Sequence, residues 1–484
     1  MREGKLYIGG KFVNSSSRKK FISLNPANER PFGRYQLGNK NDVDKAVQAA
    51  KKALPLWKKT PAPKRAEILF EVVRLLKKHK ERLAKLEVLE MGKVYSEATG
   101  DVQEAIDVFE YMAGEGRRLF GYTTPSELKN KFCMTIRIPL GVVGLITPWN
   151  FPIAIPAWKL APALICGNTC VLKPSSDTPG NAIELIKILE EAGLPKGVVN
   201  LVTGSAKDVG EPIVKHSGIQ GLSFTGSVET GKFIVANAGL KKVGLELGGK
   251  NAIIVMEDAD LNLAVDGIVW GGFGTTGQRC TAASRVIVHK KVKKELEERL
   301  LRRVKRLRLG SGLKRSTDVG PLINEKAVEK SEYYTQVGKK QRAKLLCGGE
   351  RADMKGFFFK PTLFTNVKPK MRIAQEEIFG PVVSLIPVSG IGQAIRVCNG
   401  VSYGLSSAIY TKDIKNAMIA AQEIETGLTY INSSTIGSEV HLPFGGVKDT
   451  GNGREAGIEG IHEFSETKVI YIDYSGKLQK AQID

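Results

Sequence analysis

Six cysteines occur in this 484-residue chain, and one of them stands apart. Cys280 closes the stretch "GGFGTTGQRC" and is followed by "TAASR". Glycines let the backbone come close to a ligand, and backbone N–H groups in such a stretch can face the sulfur. Cys133, Cys166, Cys170 and Cys398 lie among apolar neighbours, as structural thiols do, and Cys347 in "LLCGGE" sits at a loop edge. A thiol in small, polar surroundings is a candidate nucleophile when a base lies near it. The best candidate base is Glu246, in "LELGGKN". A carboxylate between two leucines is costly unless it is paired or functional. Burial would raise its pKa towards neutrality, where a general base works best. The two residues are 34 positions apart, so only the fold can unite them. On residue type alone, a nucleophile and a structural thiol are equal readings of Cys280. A solvated strand end stays open for Glu246.

Three other stretches could hold a ligand. "TPWNFP" places the Asn150 amide between Pro148 and Pro152, as an oxyanion donor or as part of a stiff turn. "KPSSDTP" puts Lys173, Ser175 and Ser176 where a strand ends and a helix begins. A cation and two hydroxyls there suit a phosphate or a ribose, or are simply solvated. "FTGSVETG" places Gly226, Ser227, Thr230 and Gly231 at another strand-to-helix turn, whose N–H groups could hold a pyrophosphate. It is not G-x-G-x-x-G, so the ordinary dinucleotide fingerprint is absent.

These residues need elements to position them. "NDVDKAVQAAKKALPLWKK" sets Val43, Ala46, Val47, Ala50, Leu54 and Trp57 on one helical face, with Asn41 as N-cap and Asp44 as its acidic N3 residue. A second helix is expected over roughly 64 to 90 and a third through "GDVQEAIDVFEYMAGEGRRLF". From residue 141 short apolar runs alternate with helical stretches: "GVVGLIT", "TCVLK", "GVVNLVTG", "GLSFTGS", "KVGLEL" and "NAIIVM", with helices expected from about 181 and 207. That alternation predicts an α/β fold with parallel sheets covered by helices on both faces. Ligands then bind beyond the carboxyl ends of the strands. The pattern resumes after 285 with "RVIVHK", "PLI", "VVSLIPV" and "GLSSAIYT", a second α/β domain. The glycine-rich stretches 247–250 and 445–453 are the candidate joints, and "ETKVIYIDYSGKLQKAQID" begins as an alternating strand that adds to a sheet edge or a partner subunit.

Bulk properties narrow the class. Length predicts two or three domains. No run approaches the ~20 apolar residues of a membrane helix, and the N-terminus carries no apolar leader core, so no membrane partner and a cytoplasmic location are expected. Cys166 and Cys170 are four apart, but no second Cys/His pair completes a zinc site; no metal is expected. The 72 Lys and Arg against 50 Asp and Glu give a charge of +22. The densest basic stretch, 289 to 310, sets Leu296, Leu300, Val304 and Leu307 at helical spacing. It therefore reads as a core-backed surface helix, and no nucleic-acid partner is expected. The positive field would steer phosphate cofactors and anionic substrates.

The set "TPWNFP", "KPSSDTP", "FTGS", "LELGGKN", "GQRC", "EEIFGP" and "PFGGVKDTGNGREAG", in this order, resembles the aldehyde dehydrogenase superfamily from "YIGGKFV" to the tail. The resemblance implies Cys280 as nucleophile, Glu246 as general base, and Asn150 with the Cys280 N–H as oxyanion hole, with Lys173 also at the reaction centre. It implies cofactor contacts from Thr147, Pro148, Trp149, Lys173, Ser175, Ser176, Gly226, Ser227, Thr230, Leu247, Glu377 and Phe379. Substrate contacts would come from Phe151, Trp158, Arg279, Thr281 and His441; Arg279 or His441 could meet a distal carboxylate. The fold implied is two parallel-sheet α/β domains plus a small β oligomerisation arm. The cofactor domain would comprise 1–119 and 141–247, the catalytic domain 248–446, and the arm 120–140 and 447–484. A homodimer or homotetramer follows. The implied reaction is NAD(P)-dependent oxidation of an aldehyde, with a semialdehyde such as 2-oxoglutarate or succinic semialdehyde suggested by "EVHLPFGG" and the tail. In the resembled family an acidic residue three positions after the lysine of "KP" goes with NAD; here that position is Ser176, which implies NADP at least as readily as NAD. A CoA-acylating member, or a non-catalytic structural or nucleic-acid-binding protein, are the rival readings; Glu246 argues against the first and the intact residue set against the second.

Overall fold

The structure, a computed structural model, describes residues 1–483. Two seven-stranded sheets dominate it. In the first the strands run in the order Lys242–Glu246, Gly221–Thr225, Val142–Ile146, Thr169–Lys173, Val199–Leu201, Leu6–Ile8 and Lys11–Val13. The first five are mutually parallel, and the N-terminal hairpin closes the edge antiparallel. The second has the order Lys344–Cys347, Thr362–Thr365, Val382–Val388, Ala283–His289, Asn251–Val255, Ser406–Tyr410 and Leu428–Ile431, parallel except at the Lys344–Cys347 edge. Strands buried on both faces must be apolar throughout, which is why "TCVLK" and "NAIIV" read as unbroken runs.

Helices cover the first sheet. The helix Lys40–Lys59 buries Val43, Ala46, Val47, Ala50 and Trp57. Its N-cap is Asn39 rather than Asn41, and the N3 acid is Asp42 rather than Asp44. Asn39 Oδ1 accepts from the Asp42 N–H while Asp42 accepts from the Asn39 N–H, so the reciprocal cap lies two residues earlier than the sequence suggested. Ala62–Met91 and Tyr95–Glu115 pack on each other beside it. Residues 206–215 form a π turn and a five-residue helix instead of one helix. "PLI" is no strand: Pro321 lacks the N–H a ladder needs, and the segment is held through Gln278. The basic helix spans Lys293–Val304 and buries Leu296, Leu300 and Val304, with Leu307 packed beyond its end.

The first 36 residues also form a small sheet, Arg2–Gly4, Arg30–Gln36 and Lys20–Asn25, which periodicity did not announce. Another three-stranded sheet joins Thr123–Pro125, Lys131–Pro139 and the tail strand Ser465–Asp473, antiparallel throughout. Residues 449–464 do not follow that strand outward. They fold back against the first sheet, and the helix Gly457–Glu463 packs on Ala154–Ile165.

Candidate active site

Glu246 is the last residue of its strand, and Thr225 lies opposite it in register. The carboxyl is buried, and Oε1 has no hydrogen-bond partner. Glycines make this close packing possible: a Cβ on Gly445 or Gly453 would fall 2.7 or 2.9 Å from Oε1. The loop is sewn to the strand by Leu247 N–H donating to the Thr450 carbonyl and Gly453 N–H to that of Leu245. Burial, then the nearby Glu455 and Glu463, push the Glu246 pKa well above the carboxylate range. Lys159 and Arg454 oppose that shift more weakly.

Cys280 follows a tightly held loop. The helix Leu261–Phe273, capped by Asp260, ends in a turn where Thr275, Thr276 and Gly277 all take left-handed φ. Two consecutive β-branched residues in that region are strained unless clamped. Glu97 supplies the clamp: its carboxylate accepts from the Thr275 N–H at 2.9 and 3.0 Å and from its hydroxyl at 3.1 Å. Gln278 ties the loop to Thr275 and Ile323, and Asn251 Nδ2 donates to the Cys280 carbonyl at 2.6 Å. The sulfur is thus placed by a rigid backbone. Burial first, then Glu246 and Glu377, push its thiol pKa up to about 12, with the Thr281 N–H opposing. At this pKa Cys280 rests as a thiol, and to act as a nucleophile it would have to lose its proton.

Both groups line one cavity of about 320 Å³. Of the sequence-predicted residues, Cys280, Glu246, Leu247, Arg279, Thr281, Phe151 and Trp158 all border it. The Arg279 guanidinium lies over the Phe151 and Trp270 rings and 3.6 Å from the Glu97 carboxylate. His441 is not there. Its ring is exposed and pairs with Glu439 at 3.5 Å, while the neighbouring Ile436, Gly437 and Ser438 reach the cavity instead. Asn150 is buried and does not border the cavity, but its Nδ2 donates to the carbonyl of Gln278, two residues before Cys280.

A second groove, about 840 Å³, opens at the carboxyl ends of the first sheet. Thr147, Pro148, Trp149, Lys173, Ser175, Ser176, Gly226 and Thr230 line it, and Thr225 borders both groove and cavity. Ser227 caps the helix Val228–Asn237, its Oγ accepting from the Thr230 N–H at 3.2 Å. Burial lowers the Lys173 pKa to about 8, and its Nζ donates only to the Pro174 carbonyl. Thr147 Oγ1 is buried without a partner. Ile146, Phe224, Phe233 and Ile234 supply an apolar wall. A cation, an orphaned hydroxyl, a free helix start and an apolar wall fit a dinucleotide. Ser176 borders the groove but its hydroxyl donates to the Gly204 carbonyl at 3.0 Å, and Asp177 beside it binds Asn324. Glu377 and Phe379 line a third, smaller space with Gly249 and Arg279. Glu377 accepts from the Gly249 N–H at 2.8 Å, and Phe379 meets Trp149 edge-on at 5.5 Å. Among the described residues no cluster could hold a metal ion.

Sequence reasoning missed several of these groups. Glu97, Gly100, Asp101 and Glu104 face the cavity from one helix, and their spacing was the available signal. Lys159 was visible as the one charge in the apolar helix "AIPAWKLAPALI"; it is buried and bonded to Glu455 and, at 2.9 Å, to the Ser223 hydroxyl.

Comparison with known proteins agrees with this geometry. The aldehyde dehydrogenase family profile matches residues 12–470. The chain is 40% identical over 474 residues to alpha-ketoglutaric semialdehyde dehydrogenase of Bacillus subtilis, covering 96% of this chain and 97% of that one. It is 40% identical over 471 residues to 2,5-dioxopentanoate dehydrogenase of Saccharolobus solfataricus, covering 96% and 98%. A crystal structure of betaine aldehyde dehydrogenase from Staphylococcus aureus in complex with NAD+ superposes with a TM-score of 0.96 at 37% identity, over 98% of this chain and 96% of that one. The half-buried thiol, the buried carboxyl on the same cavity and the adjoining groove therefore belong to a member of the aldehyde dehydrogenase family.

Proposed function

We propose that this enzyme oxidises an aldehyde to a carboxylate through a thioester on Cys280. The observation that carries the reading is that Cys280 and Glu246 border one cavity, next to a groove suited to a dinucleotide. The Cys280 thiol gives up its proton to solvent as the sulfur adds to the aldehyde carbon and the carbonyl π bond opens; the new oxyanion would be held by the Cys280 N–H and by the Asn150 N–H that is not donated to Gln278. NAD(P), when bound, accepts the hydride that leaves this carbon. Thr147, Lys173, Ser175, Ser176, the start of the helix after Ser227, and Glu377 would hold it. Glu246 then takes a proton from the water that attacks the thioester.

The substrate we favour is a semialdehyde such as 2-oxoglutarate semialdehyde, the substrate class named by the two relatives above. Arg279 supports this, since it brings the positive charge nearest the nucleophile in sequence and borders the same cavity. Glu97 takes part of that charge, which leaves the remaining N–H groups for a distal carboxylate. No acidic side chain stands at position 176, so the like-charge element that would reject a 2′-phosphate is missing there; NADP is used at least as well as NAD. Exposed Phe132, Ile136, Val469, Tyr471 and Ile472 on the sheet that holds the tail strand support a homodimer or homotetramer built on this arm; cofactor and catalytic domains divide at 247–248, and residues 449–464 go with the first sheet and not with the arm. Among the described residues no helix is long and apolar enough to cross a membrane, in keeping with a cytoplasmic enzyme. An aldehyde panel followed by nicotinamide absorbance with each cofactor tests the reaction, the substrate class and the cofactor preference. Semialdehyde-dependent reduction of NADP is expected. Acyl transfer to CoA in place of hydrolysis would replace this reading with the acylating one.

A further inference from the structure

Five carboxyls border the cavity that holds Cys280: Glu97, Asp101, Glu104, Glu246 and Glu455. Four of them have a task. Glu97 accepts from the Thr275 N–H and hydroxyl and lies 3.6 Å from the Arg279 guanidinium. Asp101 accepts from Lys93 at 3.0 Å and from the Ala154 N–H at 2.6 Å. Glu455 accepts from Lys159 and from the Ser223 hydroxyl. Glu246 is the base of the reaction proposed above. Glu104 is left over: it is half-buried and has no hydrogen-bond or ion-pair partner among the described residues. Glu97, Asp101 and Glu104 are spaced i, i+4 and i+7 along the helix Tyr95–Glu115, so they share the face turned to the cavity.

We propose that Glu104 is a specificity-determining residue: as an acid it donates a hydrogen bond to the distal carboxylate of a semialdehyde, beside Arg279, and as a carboxylate it turns that substrate away. The inference rests on the reading of this cavity as the place where Cys280 attacks a semialdehyde. A distal carboxylate offers only acceptors and needs donors. Arg279 supplies some, but its Nε is donated to the Thr275 hydroxyl at 2.8 Å and Glu97 offsets its charge. An ionised Glu104 would therefore leave the incoming carboxylate facing a net negative wall. One proton on Glu104 removes a charge and adds a donor at the same place. Because Glu104 has no partner in the protein, that donor is free for substrate. Glu104 also acts on the Cys280 thiol more weakly than Glu246 and Glu377 do, as suits a group that meets the end of the substrate remote from the reacting carbon.

The surroundings keep Glu104 protonated near neutrality. Burial first, then Asp101 on the same helix, raise its pKa to about 8, and Asp107 adds to this more weakly. Arg279, from the turn before Cys280, and Lys93, from the loop before the helix, oppose the shift. Cys280 and Tyr430, the latter on the strand Leu428–Ile431, both feel the charge of Glu104. Glu97, Glu246 and Glu455 complete the titratable lining. The sign follows. Below about pH 8 Glu104 is an acid and holds the carboxylate; above it a second negative charge repels the same group. Preference for a carboxylated aldehyde therefore falls as pH rises.

The test compares kcat/KM for succinic semialdehyde with that for butyraldehyde, as a ratio at each pH, so that ionisations common to both reactions cancel. In the wild-type enzyme the ratio should fall about tenfold between about pH 7 and pH 9. Glu104→Gln keeps an N–H donor and cannot ionise; its ratio should stay within about threefold of the wild-type value at about pH 7 and lose the fall. Glu104→Met has the same length and no donor, and should lower the ratio about tenfold at about pH 7, with the loss in KM rather than kcat. A flat wild-type ratio overturns the proposal, as does a fall with pH that persists in Glu104→Gln. A Glu104→Met ratio equal to or above that of wild type overturns it too, and so does an equal loss with both aldehydes in both variants, which marks a structural role. A wild-type enzyme that oxidises neither aldehyde would instead overturn the reading of Cys280 and its cavity, and this inference with it.

Discussion

At the residue scale the proposed chemistry rests on two groups whose pKa values burial raises. Burial, with Glu246 adding to it, pushes the Cys280 thiol up to about 12, and burial with Glu455 and Glu463 holds Glu246 well above the carboxylate range. A cysteine kept as thiol in this way resists oxidation. The sign for pH follows. Glu246 acts only after losing its proton, so hydrolysis rises with pH as that proton leaves, and the raised pKa sets the limb above the ordinary carboxylate range. Replacing Cys280 by Ala should abolish aldehyde oxidation, while fluorescence titration shows cofactor affinity within about twofold of wild type. Retention of even about a tenth of the turnover would remove Cys280 from the nucleophile's place. Among the six cysteines, small neighbours distinguished Cys280, and a carboxylate in an apolar strand end distinguished Glu246; those signals were local and could be read. His441 was misplaced because residues 437–445 form a loop without periodicity, where sequence cannot say which side chain faces inward.

At the scale of elements, the strand ends and the turn before Cys280 do the positioning. The parallel strands were legible because burial on both faces makes them uniformly apolar. The N-terminal sheet was not, since strands such as Lys20–Asn25 and Arg30–Gln36 carry charges and a mixed burial pattern. The carboxyls behind Glu246 were also invisible, because Lys159, Glu455 and Glu463 meet only in three dimensions and are 296 residues apart at their extremes of direct bonding. The turn is the sensitive element. Gly277 has φ of 71°, and a Cβ there would collide with the Gly380 carbonyl. Gly277→Ala should therefore cost about 2 kcal/mol or more of stability and lower kcat, read by denaturant unfolding and steady-state rates. A variant as stable and active as wild type would show that the turn does not set the sulfur's position.

At the scale of the whole molecule the charge of +22 becomes relevant. Its densest basic stretch lies on a solvated helix face, Lys293–Val304, as the sequence pattern indicated. A net positive field draws anions towards the molecule, while the cavity itself sets Arg279 among the carboxyls Glu97, Asp101, Glu104, Glu246 and Glu455, so the two compete in substrate choice. Succinic semialdehyde should therefore be oxidised with a higher kcat/KM than butyraldehyde, a neutral aldehyde of the same length. The advantage should shrink as salt rises towards about 1 M, where screening shortens to about 3 Å. Equal values at low salt would leave the positive field without a part in substrate choice.

In the proposed reaction one cavity runs two half-reactions, with Cys280 making the acyl-enzyme and Glu246 clearing it. Glu246→Gln separates them most directly, because it keeps the shape and removes the base. Mixed rapidly with aldehyde and NAD(P), this variant should form NAD(P)H close to the concentration of active sites in a fast phase and then turn over slowly, as acyl-enzyme accumulates. A uniformly slow reaction with no fast phase would contradict the claim, placing Glu246 in the first half-reaction or outside the chemistry altogether.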